Sequence, residues 1–522
     1  MEIDHIVSHA QPTYNLLDEP WIPVVTANGV EELGLHAVLS RAHEISDIAV
    51  YAPIPRYALM RYLVALTYVL HYHDKSYAWD KVVLGDEPLP PEAINCLMDR
   101  LGPHMWLYHP DTPFMQTPCV FSKGSVAHRD NSMLPQVPSD GNAVWWSGTD
   151  IHMTKPMLAL ALLTRHFAAV PSVQSGVAML VEAKETSRSN SYGGLFMSST
   201  KDMTHVFWRR SSSLAATLAS NLSRSVSDKM REDSQFFWEC TPERPRLDDP
   251  LFLYTASSAA AYLADDGRAI LTAYPYASKD LRKTVINAAR FADPHTMKAP
   301  KPGVLAQKMD DVSYVSFSIT ASQYENLYNI YRKVNCPQDL RPCVLQPIHH
   351  VVDGAAQGGT LEVYCAKVGG TPTGAKVYDA AVIEVAPDAY CMSPFSHQLF
   401  RSALNKLADV KNSVLSNLLY SQATALGLGR NTPPYNRMKA KTEAQLWEMM
   451  ADTVDGIYEH ALQASDDDPM VAPIPAGYKD IWVQRACDIF ATNMEQHVMD
   501  PNIMKAFVLE NKRLKRKLYA IL

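Results

Sequence analysis

Four long helical segments, separated by clear breakers, fill the chain after residue 395 and restrict that part to a helical solution. "SHQLFRSALNKLADVKNSVLSNLLYSQATALG" ends at Gly427 and Gly429, and "TEAQLWEMMADTVDGIYEHALQAS" ends in "DDDP". "YKDIWVQRACDIFATNMEQHV" stops before Asp500-Pro501, and "NIMKAFVLENKRLKRKLYAIL" closes the chain. In the second segment Leu446, Met450, Val454, Ile457 and Ala461 fall on one stripe. A helix with one apolar stripe must bury it, and short or proline-rich connections place successive helices side by side in opposite directions. The spacing predicts an antiparallel four-helix bundle over 393–522.

Residues 1–392 mix short strand-like and helical runs. "WIPVVTANGVEEL" reads as two strands around an Asn-Gly turn, because both residues tolerate the positive φ of a tight hairpin. "IPRYALMRYLVALTYVLHYH" carries Leu59, Leu63, Leu66 and Leu70 at helical spacing. Two polar stretches, 122–156 and 184–204, read as long loops. The fold class expected is α+β: a large mixed α/β N-terminal domain, 1–392, followed by the bundle, 393–522.

The segment "KVGGTPTGAKVYDA" comes close to a phosphate-binding P-loop. That loop needs Lys directly after its last glycine to reach the phosphates, then a hydroxyl to ligate magnesium. Here Ala375 intervenes before Lys376, and Val377 stands where the hydroxyl belongs. The flanks "LEVYCAKV" and "KVYDAAVIEVA" are strand-like, so a helix N-terminus is missing as well. The segment reads as strand–loop–strand, which argues against a nucleotide hydrolase. H-E-x-x-H, G-x-S-x-G and Cys/His zinc spacings are all absent. "PIHHVVDG" sets His349 and His350 near Asp353, a candidate metal trio that reads more simply as a loop at a strand edge. We expect no metal, no cofactor and no enzymatic activity.

The formal charge of −7 argues against a free-standing protein that coats nucleic acid, but leaves room for local basic patches. Eight scattered cysteines without C-x-x-C suit thiols in a reducing compartment. The N-terminus lacks a secretory pattern and no window has the apolar length of a bilayer span, so the expectation is a cytoplasmic protein without membrane association. Arg430, Arg437, Lys439 and Lys441 fall in the first interhelix connection. Lys512, Arg513, Lys515, Arg516 and Lys517 crowd the last helix, as a solvated end or a phosphate-tracking surface. Lys298 and Lys301 sit in a proline-stiffened loop, and Trp145 and Trp146 in a polar one, where indoles either anchor the loop or stack on a base.

Several stretches, taken in order, resemble one family. "YNLLDEPWIPV", "GLHAVLSRAHEI", "TPFMQTP", "FFWECTPERPRL" (similar to a family strand region) and "DPHTMKAPKPG" are similar to motifs of the CasA family, the large subunit of the type I-E CRISPR Cascade surveillance complex. The first and third are the most specific. The resemblance implies a non-catalytic subunit that recognises the protospacer-adjacent motif on double-stranded DNA. It also implies that the subunit helps open the duplex for R-loop formation and recruits a helicase-nuclease, while guide RNA pairing supplies most of the specificity. The implied partners are the other Cascade subunits (backbone, small and guide-end), the guide RNA, target DNA and the helicase-nuclease.

Residue by residue, the resemblance makes Lys301, or else Lys298, the lysine finger. It makes Tyr192, Gly193 and Gly194 in "NSYGGLF" the glycine loop that lets backbone approach DNA closely. Trp145 or Trp146 becomes the contact to guide RNA or a neighbouring subunit, and the wedge hairpin falls on "KVGGTPTGAKVYDA". Where many members insert a Gln, this register has Gly374 between Thr373 and Ala375, with Lys376 beyond. Arg430, Arg437, Lys439, Lys512, Arg513 and Arg516 are the candidates for DNA backbone contact. The missing Gln motivates a second reading, a scaffold that recruits the nuclease without reading the motif. A metal-dependent hydrolase is the third.

Overall fold

The computed structural model describes residues 3–6, 11–116, 120–122, 128–129, 153–168, 204–210, 213–240, 245–257, 260–263, 269–273, 279–300, 312–314, 359–369, 376–385, 394–425, 432–464, 471–495 and 500–522. These divide into two compact units, one running up to Val385 and one starting at Pro394. Strands and helices are mixed in the first unit, whereas the second is helical. Among the described residues no helix is long and apolar enough to cross a membrane.

The first unit is built around one helix, Pro53–His73, which starts with proline at a position where the missing N–H costs nothing. From Tyr57 to Leu70 every side chain is buried. An apolar stripe is what the leucine spacing promises, but the interleaved Tyr, Met, Val and Ala residues extend it to the whole circumference, and such a helix belongs inside a core. Helices Pro91–Leu101, Lys155–Ala168, Leu214–Ser220 and Pro250–Thr255 pack around it.

The opening hairpin pairs Ile22–Thr26 with Gly29–Leu33, and Ile45–Ile48 adds a third strand. Thr26 faces Gly29, so the turn is Ala27-Asn28, one residue earlier than the Asn-Gly reading; Gly29 opens the return strand with φ +112°. The motif "TPFMQTP" meets the chain's opening in the core. The rings of Trp21 and Phe114 lie 5.4 Å apart, and Phe114 is 6.0 Å from Tyr62 of the central helix. Trp21 Nε1 donates to the Leu16 carbonyl at 2.9 Å. Gln116 donates to the Leu107 carbonyl at 2.6 Å and accepts from the Leu263 amide at 2.7 Å. The two most specific motifs are therefore fold determinants that hold each other.

"FFWECTPERPRL" is not a strand where it is described. Phe237–Glu239 forms a single 3-10 turn, because the Glu239 carboxylate accepts from the Phe236 amide at 2.7 Å and is gripped by Arg100 at 2.7 Å.

In the second unit, helices Pro394–Ala425, Pro433–Gln463, Ala476–Glu495 and Pro501–Ile521 share one apolar core. Leu399, Ala403, Leu407, Val410 and Val414 of the first helix meet Leu446, Val454, Ile457 and Ala461 of the second there. Trp482 of the third is buried, its indole donating to Thr453 Oγ1 at 2.9 Å. The second helix begins at Pro433, nine positions before Thr442 where the sequence reading started it. Pro433-Pro434 looks like a breaker, yet proline in the first turn starts a helix without losing a hydrogen bond. Arg437, Lys439 and Lys441 thus lie on a helix, exposed, and not in a connection.

Candidate nucleic-acid interface

The strand His205–Arg210 is shared by two separate structures, one on each side. On one side it pairs antiparallel with Gly359–Gly369, from Gly359 opposite Arg210 to Tyr364 opposite His205. That partner strand continues beyond the His205 end and returns as Lys376–Val385, with Gly369 opposite Lys376. The two ends of "KVGGTPTGAKVYDA" are therefore paired antiparallel strands, as its flanks predict, and a strand, not a helix, begins at Lys376. Lys376 opens the return strand, whereas Thr373, Gly374 and Ala375 lie outside the described residues.

On the other side, the Val206 amide donates to the His295 carbonyl at 3.0 Å, Thr296 bridges His205, and the Met297 amide donates to the Thr204 carbonyl at 2.9 Å. The chain then runs past Thr204 into strand Lys298–Pro300, which pairs with Val312–Tyr314. The "DPHTMKAP" part of that motif is thus the root of an arm in which, among the described residues, two strands pair, and Pro300 lies on an edge strand, where a missing N–H is tolerated. Lys301 is the next residue and lies outside the described set. Both antiparallel neighbours leave the shared strand at its His205 end, and the chain that carries "NSYGGLF" enters the strand at that same end.

Buried charge fixes the two roots. Arg61 and Asp293, both fully buried, meet at 2.9 Å. Arg61 also donates twice to the Tyr254 carbonyl, at 3.1 and 2.7 Å, and lies 4.2 Å from the Tyr254 ring. Asp293 accepts from the His295 amide at 2.9 Å and stands 3.3 Å from His205 Nδ1. Burial would raise the Asp293 carboxyl, but Arg61, His205, His295 and Lys298 hold it well below the usual carboxylate range. His295 stacks on Phe207 at 4.1 Å and donates from Nδ1 to the Val206 carbonyl at 3.0 Å.

The hairpin root is held similarly. Glu362, 2% exposed, accepts from Arg56 at 2.7 and 3.2 Å and from Tyr364, and lies 3.1 Å from Arg209. Arg56 also grips Asp47 at 2.8 and 3.0 Å.

Lys298 is 7% exposed, and its ammonium donates to the Phe291 carbonyl at the end of helix Lys279–Ala292. A cation there satisfies an end carbonyl and complements the helix dipole. Burial lowers its pKa to about 8, against the opposing pull of Asp293. This corrects the sequence reading of Lys298 as a loop residue and alternative finger: it opens a strand, and its side chain is a clamp at the base of the arm.

Lys512, Arg513 and Arg516 are exposed on the final helix, with Arg513 paired to Glu510 at 2.9 Å. Tyr192, Gly193, Gly194, Trp145, Trp146, Arg430, His349, His350 and Asp353 lie outside the described residues. Sequence reasoning missed Arg56, Arg61, His205, Asp293 and Glu362; the available signal was two arginines within an otherwise apolar helix.

Comparison with known proteins gives a consistent picture. The model of the CRISPR-associated protein Cse1 family matches residues 15–328, more than half of the chain. A Thermus thermophilus CasA/Cse1 protein is 30% identical over 139 residues, which span 26% of this chain and 27% of that protein. The crystal structure of Cse1 from Acidimicrobium ferrooxidans shares the fold with a TM-score of 0.73 at 20% identity, covering 97% of this chain and 98% of that one. The crystal structure of Thermus thermophilus CasA gives 0.68 at 16% identity, covering 98% and 100%. A chain of a CRISPR RNA-guided surveillance complex gives 0.68 at 14%, covering 96% and 99%. The chain belongs to the CRISPR-associated protein Cse1 family, the CasA family that its motifs resemble.

Proposed function

We propose that this chain is the non-catalytic large subunit of an RNA-guided DNA surveillance complex. In this reading it recognises a protospacer-adjacent motif on double-stranded DNA, helps part the duplex for R-loop formation and recruits a helicase-nuclease. The observation that carries the reading is the convergence at the His205 end of one strand. The arm leading to Lys301, the hairpin leading to residues 373–375 and the chain bearing Gly193 and Gly194 all meet it there. A lysine and two glycine-bearing segments, each reached from one strand end, would suit the minor groove, where backbone must approach closely and the donor and acceptor pattern is degenerate. Likeness to a chain of a CRISPR RNA-guided surveillance complex supports the setting, with guide RNA and the remaining subunits as partners.

Lys301 is the finger in this proposal, Thr373, Gly374, Ala375 and Lys376 form the wedge, and Trp145 or Trp146 meets guide RNA or a neighbouring subunit. The four C-terminal helices form an antiparallel bundle. Its Lys512, Arg513 and Arg516, together with Arg430, Arg437 and Lys439, follow the DNA backbone. Lys301→Ala in the assembled complex should weaken binding to motif-bearing target, each good base contact being worth about 1–3 kcal/mol. Binding to motif-free target should stay as it was. The scaffold reading, motivated by Gly374 in place of Gln, predicts equal affinity of the unaltered complex for both targets. The hydrolase reading predicts metal-stimulated cleavage by the purified chain, and an inert chain removes it.

A further inference from the structure

The central helix touches both roots of the reading end through buried arginines less than two turns apart. Arg61 holds Asp293, directly before the arm that leads to Lys301; Arg56 holds Glu362, in the strand that leads to the wedge. Neither arginine is near solvent, so neither touches DNA: Arg61 is fully buried and Arg56 nearly so. Each root is also braced on the shared strand, Asp293 by His205 and Glu362 by Arg209. A buried ion pair is a poor source of stability, since apolar side chains of similar volume often do as well. What such a pair supplies that apolar packing does not is direction: fixed distances and angles between the elements that carry it.

We propose that Arg56 and Arg61 are positioning residues for motif reading. They set the separation between the lysine arm and the wedge hairpin from one rigid helix, so that both reach the same base pairs. The inference rests on the motif-reading proposal above and adds to it the residues that fix its geometry.

The test uses the assembled complex with a guide and two matched duplexes, one with the flanking motif and one without. Arg61→Met combined with Asp293→Leu removes both charges and keeps the core filled. The ratio of the two affinities should fall by about 10-fold, as expected when a single well-placed base interaction is removed, while motif-free binding and incorporation into the complex hold; the melting temperature falls because the Tyr254 carbonyl and the His295 amide lose their partners. Damage that was merely structural would lower incorporation and weaken both duplexes together. An unchanged ratio in a complex that still incorporates the subunit overturns the proposal and leaves the pair as packing. Should that variant fail to incorporate, Arg56→Met with Glu362→Gln asks the same question at the other root, where Arg209 and Tyr364 remain to hold the strand, and the same two outcomes decide it. Lys301→Ala run in parallel separates the two ideas. If it collapses the ratio while the paired variants do not, positioning fails and motif reading stands; if it leaves the ratio intact, motif reading itself fails.

Discussion

Lys298 stands three positions before Lys301 in sequence, and in place it has the chemistry of a core residue. The ammonium of Lys298 ends on the Phe291 carbonyl, so its stem is part of the core. Nearby, His295 donates to the Val206 carbonyl, and His166 donates to the Thr255 carbonyl at 2.8 Å; both are neutral donors. Burial lowers each to about 4. In the unfolded chain these imidazoles take up protons near pH 6.5, so between about pH 6.5 and 4 the unfolded state binds more protons than the folded one. Their contribution to stability is complete above that window and is lost as pH falls through it, by about 2 kcal/mol each at pH 5. Melting of the purified chain should accordingly drop by several degrees between pH 7 and pH 5, and a flat profile would show that these imidazoles are not held neutral. At this scale the sequence displayed the anomaly, two arginines in an apolar helix, but not the answer. The partners Asp293 and Glu362 are 232 and 306 residues away, and no local pattern encodes such a pairing.

Elements were legible wherever a local rule decides them. The central helix, the opening hairpin and the strand–loop–strand around Gly369 and Lys376 follow from periodicity and turn chemistry. Misreadings arose where one residue type has two uses: Pro433 as a starter and not a breaker, and Phe237 as part of a capped turn and not a strand. Helix packing adds a constraint that composition hides. A Cβ at Gly456, on the helix Pro433–Gln463, would collide with the hydroxyl of Tyr478 on the next helix. Gly456→Val should push the two apart and destabilise the helical unit by about 1–3 kcal/mol, read as an earlier denaturant midpoint. An unchanged midpoint would mean that Tyr478 swings aside freely.

For the whole molecule, a formal charge of −7 coexists with exposed cations on two C-terminal helices. A protein of this charge relies on placed contacts rather than on its overall field. Charge reversal at Arg513 and Arg516 in the assembled complex should flatten the dependence of target affinity on salt, by about 0.9 in log–log slope for each phosphate no longer neutralised. Arg516 should account for more of it, because Arg513 is already engaged by Glu510. An unaltered slope would make these cations ordinary solvated charge. The three-part convergence at His205 was the least legible feature of all. It joins residues near 205, 296 and 364, and only the pairing of distant strands reveals that they meet.

That same strand pairing has a kinetic consequence. The sheet around His205–Arg210 closes loops of about ninety and one hundred and fifty residues, and contacts of such separation form slowly because their closure entropy precedes their reward. During synthesis one edge of the strand waits until Met297 has emerged and the other until Gly369 has, while the central helix and its close neighbours in sequence are already able to collapse. Pulse-labelling of amides during refolding should find Val206 and Phe207 protected after Leu63 and Leu66. The same order would make the reading end the last region to gain its shape, and an open strand edge there the chief hazard of a stalled chain.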